Sequence, residues 1–90
     1  MSILRVKHGD NSEAFLETDL PQGLNNEQLL EATKSAVKLI EPELYGKKVF
    51  INGRITVVMA LYLGHALAHI CKEVNMFDPK ENTYVRVIAH

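Results

Sequence analysis

An α/β domain with one mixed sheet, in the element order β-β-α-β-α-β-β, is what this chain of 90 residues predicts. Three observations point there. Leu4-Arg5-Val6-Lys7 alternates apolar and charged residues, as a half-exposed strand does. Two helical stretches, one striped and one apolar nearly all round, are each flanked by short β-rich runs. Strand–helix–strand crossovers of that kind favour parallel pairing in the middle of the sheet, with antiparallel hairpins at its ends.

Ile3 to Lys7 is the first strand. Gly9-Asp10-Asn11-Ser12 supplies turn chemistry, and Glu13 to Thr18 returns as the second, anchored by Phe15. Pro21 and Gly23 mark a loop. Asn25 or Asn26 caps a helix to about Leu39, with Leu29, Leu30, Thr33, Ala36, Val37 and Ile40 along one side, ended by Pro42 and Gly46. Lys48 to Asn52 carries Val49-Phe50-Ile51 in succession, the pattern of a strand covered on both faces. A helix from about Ile55 to Glu73 follows, then a strand from Val74 to Phe77, a turn over residues 78–82, and a last strand from Thr83 to Ile88.

Ninety residues make one domain, spanning 1–90, and so small a chain buries only about 60% of what it exposes unfolded. A composition of 47% hydrophobic and 23% charged residues is that of a soluble globular protein. So high an apolar share in so short a chain predicts an oligomer that buries the surplus. The net charge of −1 and pI near 6.4 disfavour non-specific binding along a DNA or RNA backbone, but allow a compact anionic ligand held by a few local groups. One cysteine, Cys71, cannot form an internal disulfide, and the N-terminus lacks the pattern of a signal peptide. The uncharged run from Ile55 to Cys71 is short for a membrane span and contains His65 and His69. A cytoplasmic location is expected.

Several groups could carry chemistry. His65 and His69 share a helix face at a spacing that chelates transition metals, or they pack in a core or interface. Ala66 stands where a metalloprotease helix places its glutamate. Asp78 closes a strand, where a carboxylate can bind a cation or orient an imidazole, and Asp78-Pro79 also suits the opening of a β-turn. Asn52-Gly53-Arg54 lies between strand and helix, where backbone N–H groups and an arginine favour an anion; a plain turn with a solvated arginine is the other reading. Lys80 gains interest only from its neighbours. His90 follows an apolar strand and is either frayed or held against the sheet.

The ordered set Gly53-Arg54, an apolar helix ending in Leu67-Ala68-His69, Phe77-Asp78-Pro79-Lys80 and a final strand before His90 resembles the small CRISPR-associated ring nucleases of type III antiviral defence. The likeness is to the third such family, first described as manganese-dependent RNA exonucleases, and is firmest from Lys48 onward. It implies a ferredoxin-like or Rossmann-like domain distantly related to cyclic-oligoadenylate sensor domains. It also implies a hydrolase that binds and cleaves cyclic tetra-adenylate or short RNA, with Mn²⁺ as a cofactor; neither a DNA partner nor a membrane is expected, from the net charge and the length of the uncharged run. By resemblance His69, Asp78 and Lys80 are catalytic, His69 and Asp78 hold the metal, and Asn52, Gly53, Arg54 and His90 contact the ligand.

The family implies a homodimer, with sites completed between dimers so that ligand promotes tetramers or filaments. Where the family has Gly-Pro after Gly-Arg this chain has Ile55-Thr56, and Lys80 replaces an arginine, keeping charge without the planar fork. Two alternatives stand beside the nuclease: a module that captures cyclic oligoadenylate without cutting it, and an interaction subunit whose apolar helix docks a partner protein.

Overall fold

The structure, a computed structural model, describes residues 3–90. Five strands are present: β1 (Leu4–His8), β2 (Glu13–Thr18), β3 (Lys48–Gly53), β4 (Glu73–Asp78) and β5 (Thr83–Ala89). Two helices, α1 (Asn26–Ile40) and α2 (Val57–Ala68), make the crossovers. The strands lie in the sheet in chain order; β1–β2 and β4–β5 are antiparallel, and β2–β3 and β3–β4 parallel. This is the expected element order and the expected mixture of pairings.

Local chemistry explains each piece. Asn11 and Ser12 both have positive φ, and the Glu13 N–H donates to Asp10, closing a turn whose twist suits a hairpin. Asn25 caps α1 in a reciprocal box with Gln28, two bonds of 2.9 Å each. Leu29, Thr33 and Val37, spaced by four, form its buried edge. A short 3₁₀ turn, Glu41–Glu43, carries Pro42 past the end of α1.

The second helix is shorter than its apolar run. Thr56 caps it, accepting from the Met59 N–H at 3.2 Å, so it begins two residues later than expected. It ends at Ala68, and the Lys72 N–H already joins Lys47 as an entry to the sheet. Hydropathy alone does not mark that boundary; the backbone partner does.

Both connections step in one direction along the sheet, so α1 and α2 pack on the same face and against each other. Between them and the sheet lies the core, which includes Leu16, Val37, Leu44, Ile51, Met59, Leu63 and Leu67. Among the described residues the other face has no helix. β3 is therefore covered on one side only, against expectation. Phe50 lies on the uncovered side in a row of rings, 5.2 Å from Phe15 and 5.2 Å from Tyr84, which in turn is 5.3 Å from Phe77. Cross-strand aromatic contacts partly shelter these side chains where a helix would otherwise do so.

Candidate functional site

The parallel strands set a polarity. Thr18, Gly53 and Asp78 end β2, β3 and β4 at one edge of the sheet, and α2 starts there. Because successive connections step the same way, strand order never reverses, and no crevice arises at a switch point. A cleft of about 320 Å³ forms instead at the ends of β3 and β4, beside the first turn of α2. Its polar lining is Asn52, Gly53 and Thr56; Ile55, Met76 and Phe77 make it largely apolar. A mainly apolar hollow with a few polar groups is the usual form of a small-ligand site.

Gly53 is fixed there by close contact. Its φ is +118°, and a Cβ would stand 2.2 Å from the backbone carbonyl oxygen of Thr18. The Asn52 side chain accepts from the Gly53 N–H at 2.7 Å, and the Thr18 hydroxyl donates to the Asn52 carbonyl at 3.3 Å. Arg54 then projects from the rim, 78% exposed, its guanidinium 3.6 Å from Asp19. The Asp78 carboxylate accepts from the N–H groups of Lys80 (3.0 Å) and Glu81 (3.4 Å), so it organises its own turn. The β-turn that Asp78-Pro79 suits is therefore formed. Lys80 is exposed at the tip.

The histidines are elsewhere. His69 follows the C-terminus of α2, and His90 follows β5; both lie at the edge where β3 and β4 begin. His90 is held rather than frayed: its ring lies 2.9 Å from the Ala68 carbonyl and its N–H donates to Lys72. His65 sits one turn before His69, their ring centres 4.8 Å apart and nearly perpendicular. His8 ends β1 at the same edge, 3.1 Å from Glu43. All four histidines thus share one pole, and Asn52, Gly53, Arg54, Asp78 and Lys80 the other. Six strand residues at about 3.3 Å each, or twelve helical ones at about 1.5 Å each, put roughly 18–20 Å between the poles.

His69 and Asp78 therefore do not meet within one chain. The metal pair expected of them is not assembled within one chain, and no reaction step below passes through a metal. The sequence reading did not include Thr56, Met76 and Phe77 in the site. Thr56 carries a legible signal, a threonine just before an apolar helix; the other two become lining residues only once β4 lies beside β3.

Electrostatics bear more on the framework than on the site. Glu73 is held below the ordinary carboxylate range, first by the hydrogen bond from Asn75 and then by Arg86, whose guanidinium is 3.6 Å away. Burial pushes the Cys71 thiol up to about 11, which leaves it a packed apolar group. No helix among the described residues is long and apolar enough to cross a membrane.

Comparison with protein families, characterised proteins and solved structures gives no match.

Proposed function

We propose that this chain is a ring nuclease for cyclic tetra-adenylate, binding the ring at its carboxyl-end rim and cleaving it with the histidine pole of another copy. The observation that carries this reading is the segregation of the two sets of residues. One pole has an apolar hollow, a helix N-terminus and two exposed cations, Lys80 and the Asp19-paired Arg54, suited to a base and its phosphate. The other has imidazoles, suited to proton transfer.

A dimer suits the rim. Val57 lines the cleft and is 85% exposed, and Leu61, one turn on, is 76% exposed. A two-fold axis through this part of α2 would bury both and bring two rims together, presenting Arg54 twice to a symmetric ring. Contact of unlike poles between such dimers is heterologous and continues into tetramers or filaments.

In the proposed reaction a ribose 2′-oxygen attacks the adjacent phosphorus. His69 takes the 2′ proton as the new O–P bond forms; the P–O5′ bond breaks, and the proton is returned to the 5′ oxygen. Arg54 and Lys80 offset the charge that builds on the phosphate oxygens. The part of Asp78 is to hold the Lys80 turn.

The test is complementation between two impaired variants, assayed on labelled cyclic tetra-adenylate. His69→Ala should lose at least about 10²-fold in single-turnover cleavage while keeping the ligand. Arg54→Ala should lose the ligand. Mixed, the two should recover activity that neither has alone. Wild-type turnover by His69→Ala would end the proposal. The separation of His69 from Asp78 also favours a second reading, a non-catalytic binder, which predicts a lasting complex and no linear product.

A further inference from the structure

We infer that, in the absence of nucleotide, His65 and His69 form a two-ligand site for a late first-row divalent cation such as Zn²⁺ or Ni²⁺, without Asp78; ion binding and proton transfer compete for the His69 imidazole. This assigns to His65 a role that the family resemblance does not imply. It is a different pair from His69 and Asp78, which the fold keeps at opposite poles of one chain.

Both imidazoles are exposed. Neither makes a hydrogen bond or ion pair to a described residue, and each ring's partner is the other. Their spacing of four residues near the end of α2 stacks them on one side of the helix. Ring separation can be tested against coordination geometry. With metal–nitrogen bonds of about 2.0–2.1 Å, an ion lies roughly 3.2 Å from each ring centre. Rings 4.8 Å apart then subtend about 97° at the ion, between the square and tetrahedral values. The ring separation is thus compatible with one nitrogen of each imidazole on a single ion. A pair of neutral nitrogens with no carboxylate selects Zn²⁺, Ni²⁺ or Cu²⁺ over Mg²⁺ or Ca²⁺.

Among the described residues no third histidine, cysteine or carboxylate completes a cluster with the pair. His90 is close by, but its ring bonds the Ala68 carbonyl. Two protein ligands leave open coordination positions, the mark of a site that exchanges water or takes an anionic oxygen, in contrast to a closed structural site.

Calorimetric titration of the whole protein with Ni²⁺ and Zn²⁺, with Mg²⁺ as control, reads the site without reference to nuclease activity. One ion per chain should bind saturably, with no heat from Mg²⁺. His65→Ala and His69→Ala should each weaken binding at least about 10-fold, since even outer partners of a metal site cost about 10–100-fold. Asp78→Ala should bind as wild type does. His65 is exposed in a helix, so its alanine variant keeps the fold, and circular dichroism checks this. Unchanged affinity in folded His65→Ala, or no saturable binding by wild type, overturns the inference. Equal loss in His90→Ala makes His90 a third ligand and overturns the two-ligand assignment, and loss in Asp78→Ala returns the metal to the rim.

Discussion

Gly53→Ala should be among the most damaging single-methyl additions to this fold, although Gly53 is an exposed residue at a strand end. The new Cβ would stand 2.2 Å from the Thr18 carbonyl oxygen, more than 1 Å inside ordinary 3.4 Å contact, and under 3 Å from the Thr18 nitrogen and hydroxyl. Two of the three, including the closest, are backbone atoms. The φ of +118° adds a penalty of about 1–3 kcal/mol for a residue with a Cβ. Relief requires parting the Thr18–Gly53 end of the β2–β3 ladder, at about 1 kcal/mol for each hydrogen bond lost.

A total near 3–5 kcal/mol is a large part of the roughly 5–15 kcal/mol that stabilises such a domain. Thermal unfolding should fall by at least about 12 °C, at about 4–8 °C per kcal/mol for this size. Gly64→Ala is the control: nothing lies within 4 Å of its added Cβ, and a helix interior gains about 0.5–1 kcal/mol from the exchange. Urea melts of both variants, with Arg54-dependent ligand binding as a second readout, make the comparison. Gly53→Ala within 1 kcal/mol of wild type would refute the close-contact argument.

Three further outcomes are expected. Cys71, buried and with its thiol raised to about 11, should resist iodoacetamide at pH 8 in the native protein and react readily in denaturant. Glu73 has a folded pKa below its unfolded value, so its contribution to stability is full above about pH 4.3 and is lost as pH falls through the folded value. Glu73→Gln should flatten that part of the acid limb, and an unchanged slope would contradict it. Asn25→Ala removes the acceptor for the Gln28 N–H and should cost about 1 kcal/mol in chemical denaturation, with Asn25→Ser restoring most of it.

How much of this was legible in the sequence varies by element. The β1–β2 hairpin follows from Asn11-Ser12, which accept positive φ, between alternating strands. The start of α1 follows from Asn25 and Gln28. Where backbone pairing with distant residues makes the decision, sequence reading erred. Nothing in Ile70-Cys71-Lys72 announces that the helix has stopped; the bond between Lys72 and Lys47, far apart in the chain, stops it. Likewise Val49-Phe50-Ile51 reads as doubly covered, yet the open side of Phe50 is served by Phe15 from β2 and by Tyr84 reaching across from β5.

Element order, caps and hairpin turns were set by short-range chemistry, because side chains a few residues apart satisfy the backbone groups involved. The candidate site is different. Asp78, His69 and Arg54 fall within 25 residues of one another, and linear spacing makes them look like one constellation. Only the folded chain separates them, because α2 runs back against β3 and β4 and carries His69 to the far edge while Arg54 and Asp78 stay at the rim. The direction of a packed helix relative to its sheet decides which residues share an end, and that direction is a property of the tertiary structure.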